Sequence, residues 1–285
     1  MPERLTEGYG LIEGPVWDDE RGLLYSDVLF GGVFALDADG AVSTVFEHRR
    51  GIGGMSPHVA GGLVVSGRNI SYKGFDGSAT VTLLDRDPDH GNVGYNDITT
   101  DAEGRVYAGS LGASPVFEDG REPRAGDLYV IDLDGSSRVV GHDVELTNGL
   151  GFSPDGRTLY HSDSRREAVF SYPVLPNGDL GEKTPFVRTE RGAPDGLVVS
   201  EDGAVWVALA GGSAVGVYEP DGTVREYVEI PQPMCTSVCF GGADLCDLYI
   251  VTGSGDAPGG RVGAVYRHRT AAAGRAVPPA RVPIP

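Results

Sequence analysis

Three oxygen-bearing side chains, Glu13, Asn148 and Asp195, are the residues of this chain with the clearest capacity for chemistry. Each stands directly before a glycine and opens a short apolar run. Carboxylate and carboxamide oxygens of mixed charge are hard ligands, and they suit calcium, magnesium or manganese better than softer metals. A site that brings the three side chains together would therefore hold one divalent cation.

These three residues occupy equivalent places in a repeated sequence. The clearest copy, residues 148–160, has a polar residue, an apolar run, a Pro-Asp-Gly turn and a second apolar run that ends in an aromatic residue. Residues 195–206 repeat this pattern almost letter for letter, and residues 96–107 repeat it with Glu-Gly at the turn. Asp-Gly between alternating apolar runs predicts a β-hairpin. The first residues of the six copies, called the leading residues below, are Glu13, Gly53, Asn96, Asn148, Asp195 and Thr236.

The spacing of the copies predicts the fold. Their starts lie about 40 to 50 residues apart, which is the period of a four-stranded propeller blade. The 44 glycines and 19 prolines also indicate many turns. We therefore predict an all-β fold, a six-bladed β-propeller with four-stranded antiparallel blades around a central channel, formed by residues 1–269 as a single domain. Residues 1–12 are expected to complete the last blade, and the Pro/Ala/Arg-rich C-terminal tail, residues 270–285, is interpreted as disordered or as a surface strap.

Composition restricts the partners of the protein. A formal net charge of −18 argues against nucleic acid as a partner, because binding a phosphate backbone needs a basic stripe. No charged-then-apolar leader opens the sequence and no apolar run approaches membrane-spanning length, so we expect a cytoplasmic protein with no membrane contact. The cysteines, Cys235, Cys239 and Cys246, are interpreted as reduced residues and not as a zinc site, which would need four ligands. The oligomeric state is left open.

A propeller gives the leading residues a common location. The first strand of each blade lines the channel, so the leading residues form a ring at one end of it. Buried polar groups are costly unless they are satisfied, and two interpretations follow. In one, each leading residue bonds to neighbouring backbone or to water in the channel; in the other, Glu13, Asn148 and Asp195 direct oxygens at one cation. In the fourth copy, His161 and Asp163 share a face of a strand. Three roles remain open for them: packing in the core, support of the site, and contact with substrate.

Several short runs carry a resemblance to a known family. They are Glu13-Gly-Pro-Val-Trp17, the pair Asn96-Asp97, Asn148-Gly-Leu150 before Ser-Pro-Asp-Gly, and Pro194-Asp-Gly-Leu197. In this order, over nearly the whole chain from Glu13 to Arg267, the sequence resembles the senescence-marker-protein (regucalcin)/gluconolactonase family. The resemblance implies one divalent metal ion in the channel, with calcium first and magnesium, manganese or zinc as alternatives. It also implies the metal ligands Glu13, Asn148 and Asp195 and a substrate-contacting residue at Asn96.

The sequence departs from the family pattern on the substrate side. Sugar-lactonase members have an arginine two residues before the Asn-Asp pair, where this chain has Gly94 followed by Tyr95. The loop of the third copy that should carry a substrate-binding acid reads Gly-Ala-Ser-Pro. Glu118 and Glu122 follow in an insertion at residues 111–125, whose role as a lid is left open. We therefore expect a lactone or related ester that is less polar than a sugar lactone.

The resulting hypothesis is a metal-dependent hydrolase that opens a small-molecule lactone, a gluconolactonase-like enzyme. The cation would act as a Lewis acid on the carbonyl, and Asp195 would serve as the general base toward water. Asn96, Tyr95 and His161 would contact the substrate. Two alternatives stand beside it: a metal-binding or regulatory propeller without hydrolysis, and a family member that isomerises or dehydrates a secondary metabolite.

Overall fold

Short apolar runs separated by turns form strands throughout the chain. The computed structural model describes residues 1–117, 120–255 and 260–285. These residues contain 24 strands and two 3₁₀ turns, and no α-helix is found among them. In the same described part of the chain, no helix is long and apolar enough to cross a membrane.

The strands, in chain order, are β1 (Glu3–Tyr9), β2 (Ile12–Asp18), β3 (Gly22–Asp27), β4 (Val33–Leu36), β5 (Val42–Phe46), β6 (Met55–Pro57), β7 (Leu63–Val65), β8 (Ile70–Lys73), β9 (Val81–Leu84), β10 (Gly94–Thr100), β11 (Val106–Leu111), β12 (Gly126–Ile131), β13 (Ser137–Val144), β14 (Thr147–Phe152), β15 (Thr158–Asp163), β16 (Ala168–Pro173), β17 (Thr184–Arg188), β18 (Ala193–Val199), β19 (Val205–Ala210), β20 (Ala214–Tyr218), β21 (Val224–Glu229), β22 (Cys235–Gly241), β23 (Asp247–Thr252) and β24 (Gly263–Arg269). The 3₁₀ turns are Pro88–His90 and Ser164–Arg166.

The strands form six antiparallel sheets of four strands, which are the blades of a six-bladed propeller. The first five blades are β2–β5, β6–β9, β10–β13, β14–β17 and β18–β21. The sixth blade combines β22, β23 and β24 with β1, so the N-terminal strand is the outermost strand of the last sheet. Its pairing runs from Glu3 opposite Arg267 to Tyr9 opposite Gly263. The predicted all-β propeller is confirmed, and so is the predicted place of the N-terminal segment.

The Asp-Gly turns at Gly156 and Gly203 connect the first and second strands of their blades, whereas those at Gly40, Gly135 and Gly222 connect the third and fourth strands. Between β14 and β15 the amide of Ser153 donates to the carbonyl of Thr158 at 2.8 Å. Gly156 in this turn has a φ of +69°, a left-handed conformation that is easy for glycine and strained for other residues. The turn thereby fixes the register of the hairpin, in which Phe152 opposes Leu159.

Apolar side chains from neighbouring blades pack face to face and hold the ring together. Among the described residues there are six apolar clusters, one at each interface between blades. At the interface of the third and fourth blades, Tyr107 and Leu128 pack with Leu159 and Tyr172. Full burial of an apolar side chain of this size contributes about 1.5–3 kcal/mol. Each blade therefore depends on both of its neighbours for its core.

The innermost strands surround the central channel, and most of them are irregular near the leading residues. Strand pairing shifts register at this level in five of the six innermost strands as described. The shifts lie between Glu13 and Val16, Tyr95 and Ile98, Thr147 and Leu150, Pro194 and Leu197, and Cys235 and Ser237. Such bulges redirect side chains out of the regular strand alternation. They are the backbone feature that turns the leading residues toward the channel.

Glycines after the leading residues allow neighbouring innermost strands to approach closely. A Cβ atom at Gly149 would lie 2.3 Å from the amide nitrogen of Leu197, and one at Gly196 would lie 2.0 Å from Oγ of Ser237. Contacts this short leave no room for a larger residue unless backbone moves. The glycines therefore let β14, β18 and β22 converge on the channel axis.

The C-terminal residues 270–285 cross the end of the channel opposite the leading residues. On one side, the amide of Gly274 donates to the carbonyl of Leu245 at 2.7 Å; on the other, the amide of Ala280 donates to the carbonyl of Pro57 at 2.7 Å. Both acceptors lie where an innermost strand ends, which places the tail at that end. Ala280 is fully buried. In the structure the tail is therefore a strap with a buried anchor.

The strap also borders a cavity inside the channel. This cavity has a volume of about 190 Å³, and residues 275–278 of the strap form part of its wall. Leu150, Leu197 and Val199 from the innermost strands form other parts of the wall. The tail thus forms part of the wall of this cavity at the end of the channel opposite the leading residues.

Candidate functional site

Glu13 and Asp195 bring two carboxylates into the channel, and neither forms an ion pair with a cationic side chain in the described part of the protein. Asp195 is 6% exposed, and its Oδ1 atom has no hydrogen-bond partner among the described residues. Burial raises the pKa of both carboxyl groups well above their usual values. The charge of Asp195 raises the pKa of Glu13 further, as expected where two carboxyl groups lie near each other. No positively charged side chain of the described residues offsets either shift.

A third carboxylate, that of Asp97, lies in the same region. Its charge raises the pKa of Glu13 and of Asp195. Burial raises the pKa of Asp97 itself to about 7, although its Oδ1 atom accepts a hydrogen bond from the amide of Ile98 at 2.8 Å. Sequence reasoning missed a role for Asp97, whose one signal is its place directly after the leading residue Asn96.

The two carboxamides of the ring are hydrogen-bonded to each other. Nδ2 of Asn96 donates to Oδ1 of Asn148 at 2.5 Å and to the carbonyl of Thr147 at 2.8 Å. Nδ2 of Asn148 donates to Oγ of Ser164 at 2.6 Å. A carboxamide oxygen has two lone pairs, so Oδ1 of Asn148 keeps one for a further partner.

The remaining two leading residues, Thr236 and Gly53, have structural roles. Oγ1 of Thr236 donates to the carbonyl of Ile12 at 2.6 Å, which links the sixth blade to the first. Gly53 has no side chain, and a Cβ atom there would lie 2.3 Å from Oδ1 of Asn96. Bonding to neighbouring backbone therefore accounts for Thr236, whereas it does not account for the carboxylates of Glu13 and Asp195.

Tyr95 and His161, the other residues predicted to contact substrate, are buried within the blades. Tyr95 is 1% exposed, and its hydroxyl donates to the carbonyl of Asp85 at 3.0 Å. His161 is fully buried; its Nε2 bonds with Oγ1 of Thr147 at 2.9 Å, and burial lowers its pKa to about 3. The structure thus brings Asn96 to the ring and places Tyr95 and His161 behind it, with almost no surface for a ligand.

Asp163 has a structural role that recurs in the first blade. Its carboxylate accepts hydrogen bonds from the amides of Glu145 and Leu146 at 2.9 and 3.0 Å. Asp27, at the same place in the first blade, accepts one from the amide of Gly10 at 2.9 Å. In both blades an aspartate at the end of the second strand holds the segment that enters the first strand. Asp163 therefore supports the backbone next to the ring.

The donor set of the ring fits a hard divalent cation. Glu13, Asn148 and Asp195 offer oxygen ligands of mixed charge, and Oδ1 of Asp195 lacks any partner in the described part of the protein. Within that part, no group of three or more His, Cys, Asp or Glu side chains could hold a metal ion. Asp97 does not complete such a group, so the set depends on the carboxamide of Asn148 as its third member.

The insertion at residues 111–125 contributes to the rim above the ring. A Cβ atom at Gly51 would lie 3.6 Å from the ring of Phe117, and Phe117 is 39% exposed. Gly51 stands two residues before the leading residue Gly53, so this aromatic side chain lies near the channel entrance. Glu122 is exposed, and Glu118 lies outside the described residues.

Comparisons with known proteins agree with this architecture. A 6-deoxy-6-sulfogluconolactonase of Pseudomonas putida is 33% identical over 261 residues, covering 85% of this chain and 83% of that protein. A pentonolactonase of Haloferax volcanii is 29% identical over 282 residues, covering 93% of this chain and 92% of that protein. The solved structure of a calcium-binding regucalcin from Agrobacterium tumefaciens superposes with a TM-score of 0.86 at 22% identity, covering 99% of this chain and 98% of that one.

The family model described as "SMP-30/Gluconolactonase/LRE-like region" matches residues 11–254, which is most of the propeller. This span includes every leading residue from Glu13 to Thr236, and with them the whole ring described above. The chain therefore belongs to the SMP-30/gluconolactonase/LRE-like family.

Proposed function

We propose that this protein is a lactone hydrolase that works with one divalent cation held by Glu13, Asn148 and Asp195. The observation that carries the proposal is Oδ1 of Asp195, which has no hydrogen-bond partner among the described residues and lies near the half-buried carboxylate of Glu13. Two such groups are costly to bury without a counter-charge. The relatives named as lactonases support the reaction type. Calcium is the first ion to test because the ligands are all oxygens, and the regucalcin relative is described as calcium-binding.

The leading residues would have different roles in opening the lactone. A bound divalent cation would supply Lewis-acid stabilisation of the lactone carbonyl oxygen. Oδ1 of Asp195 has no hydrogen-bond partner among the described residues, so this carboxylate would accept a proton from the attacking water and return it to the departing oxygen of the lactone. Both Nδ2 protons of Asn96 are committed to Thr147 and Asn148, which leaves its oxygen to accept a hydrogen bond from the substrate.

His161 and Tyr95 are assigned supporting roles under this proposal. His161 holds the hydroxyl of Thr147, the residue directly before Asn148. Tyr95 is the residue directly before Asn96, and its hydroxyl is anchored to the carbonyl of Asp85. Each would fix the backbone that carries a ring residue, because neither side chain has an exposed surface.

We also propose that the substrate is less polar than a sugar lactone. Gly94 stands where the family resemblance calls for an arginine, and a Cβ atom there would lie 2.9 Å from the carbonyl oxygen of Gly67. The backbone at this position therefore has no room for a polar side chain that could grip sugar hydroxyls. Phe117 instead places an exposed apolar surface at the rim. The named relatives concern sugar-derived lactones, so a direct comparison of substrates is needed.

The experiment is a panel of sugar, aliphatic and aromatic lactones, assayed with and without chelator and with calcium, magnesium, manganese or zinc added back. We expect turnover to disappear with chelator and to return with at least one of these ions. Higher kcat/KM for aliphatic or aromatic lactones would support the proposed polarity. Turnover that is indifferent to chelation would refute the metal mechanism, and preference for sugar lactones would refute the polarity. Metal binding without hydrolysis of any lactone would favour the binding propeller.

A further inference from the structure

Ser164 connects two of the proposed metal ligands through one hydroxyl group. It opens the 3₁₀ turn Ser164–Arg166 directly after β15. Its Oγ accepts a hydrogen bond from Nδ2 of Asn148 at 2.6 Å and donates one to the carbonyl of Pro194 at 2.5 Å. Pro194 is the residue before Asp195, on the innermost strand of the next blade. One side chain therefore contacts both the Asn148 carboxamide and the backbone that carries Asp195.

The direction of these hydrogen bonds is fixed at both ends by backbone carbonyls. A carbonyl oxygen can only accept, so the single hydroxyl proton of Ser164 goes to Pro194, and Ser164 can only accept from Asn148. At the other end, Asn96 donates from Nδ2 to the carbonyl of Thr147 and also to Asn148. The carboxamide of Asn148 thus has its nitrogen toward Ser164 and its oxygen toward Asn96, and the flipped orientation would lose both bonds.

We propose that Ser164 is a positioning residue that sets the orientation of the Asn148 carboxamide and ties it to the strand of Asp195. This inference rests on the proposed metal site. A cation in the channel needs the oxygen of Asn148 and is repelled by its amino group, so the orientation decides whether the residue is a ligand. Partners behind metal ligands commonly affect metal affinity by 10–100-fold. Sequence reasoning did not single out Ser164, because its role depends on Pro194, 30 residues away.

Ser162 provides a matched control. It lies two residues earlier on β15, it is fully buried, and its Oγ has no hydrogen-bond partner among the described residues. Ser162→Ala and Ser164→Ala therefore remove the same atom from neighbouring places in the same blade. Only Ser164→Ala removes a contact to Asn148.

The test measures calcium affinity by titration calorimetry for the full-length parent, Ser164→Ala and Ser162→Ala. We expect the dissociation constant of Ser164→Ala to rise about 10–100-fold, with kcat/KM falling in parallel at limiting calcium and recovering as calcium is raised. Ser162→Ala should match the parent. Ser164→Ala leaves Nδ2 of Asn148 and the carbonyl of Pro194 without this partner, so the thermal midpoint of each metal-free variant is measured to separate a loss of general stability from a loss of calcium affinity.

A second measurement keeps the test independent of metal binding. The side-chain amide protons of Asn148, assigned in NMR spectra by comparison with Asn148→Asp, should exchange slowly with solvent in the parent and faster in Ser164→Ala. Ser164→Cys, which keeps the volume of the side chain but bonds weakly, serves if Ser164→Ala does not fold. Parent-like calcium affinity together with parent-like amide exchange in the Ser164 variants would overturn the proposal. Absence of calcium binding in the parent, with altered exchange in the variants, would instead overturn the proposed metal site.

Discussion

The negative charge of Asp97 on β10 raises the pKa of Asp195 on β18, although the two strands belong to different blades. Glu13, on a third blade, is affected by both charges. The charges of Asp97 and Asp195 thus both oppose ionisation of Glu13, and that of Asp97 opposes ionisation of Asp195, across three blades. A cation bound among them would relieve this repulsion, and neutralising one of them should relieve part of it as well.

Replacing Asp97 by Asn should stabilise the metal-free protein by roughly 1–3 kcal/mol at pH 8. Burial raises the folded-state pKa of Asp97 to about 7, above the unfolded value of about 4. The folded protein therefore loses stability as pH rises through this window, so the gain from the substitution should be full above pH 7 and should vanish near pH 4. Chemical denaturation in the presence of chelator measures the free energy of unfolding of parent and variant above pH 7 and near pH 4.

Asp101→Asn is the control for that substitution. Asp101 is the residue directly after β10, and its carboxylate accepts a hydrogen bond from Nη1 of Arg105 at 2.8 Å. Asn would turn an amino group toward the donating Nη1 of Arg105 and lose this hydrogen bond, so the free energy of unfolding should fall by about 1–3 kcal/mol. If Asp97→Asn behaved like Asp101→Asn and lost stability at pH 8, the repulsion inferred at the ring would be wrong.

Asp195→Asn should leave the fold intact and lower kcat by about 10²–10⁴-fold, which is the usual contribution of a general base. The carboxamide keeps one oxygen for a cation but has no basic oxygen to accept a proton from water. Steady-state kinetics at saturating metal measure the loss. Asp202→Asn, in the turn between β18 and β19, where its carboxylate pairs with Arg225 at 2.8 Å, should retain parent activity. Full activity of Asp195→Asn would remove its assignment as the base.

Gly149→Ala should destabilise the protein by about 2 kcal/mol or more, because the new Cβ atom would lie 2.3 Å from the amide nitrogen of Leu197. Gly40→Ala is the comparison. Gly40 has a φ of +84° but no atom within 4 Å of a built Cβ, so its substitution should cost only about 1 kcal/mol of backbone strain. Thermal denaturation compares the two. Equal losses would show that close strand approach is not the constraint at Gly149.

Ala280→Asp should release the C-terminal strap and lower the thermal midpoint, because it places an unpaired charge at a fully buried position. Ala271→Asp, at an exposed position of the same tail, should change neither property. Limited proteolysis followed by mass measurement detects release, since cleavage should appear between residues 270 and 285 only in the Ala280 variant. Equal resistance of both variants would show that the buried anchor does not hold the tail.

The blades and their order could be predicted from sequence because each copy carries its own local information. Alternating apolar residues and Asp-Gly turns, such as the one at Gly156, define hairpins over about 13 residues. The repeat period then leaves few arrangements other than a closed ring. The partnership of β1 with β24 could be predicted on the same grounds, since an open ring would leave one blade with a free edge.

The positions of individual side chains at the ring could not be predicted with the same success. The register shift between Pro194 and Leu197 changes the direction of the Asp195 side chain. Such a bulge cannot be recognised from the alternation of apolar and polar residues in the sequence. The burial of Tyr95 and His161 depends on packing between blades, which is not encoded near either residue. The sequence left two alternatives for the tail, disorder or a surface strap, because an Ala/Pro/Arg-rich composition is typical of both, and the buried anchor at Ala280 could not be predicted.

The pairing of Glu3 with Arg267 joins residues that are 264 positions apart, so the first strand is made long before its partner exists. At a synthesis rate of about 5–20 residues per second, β1 leaves the ribosome well over ten seconds ahead of β24. During that interval the nascent chain is an open arc of blades with an unpaired edge and an unused strand. Translation that stalls shortly before Gly263 would therefore yield a product that has most of its sheets but cannot close the ring of blades.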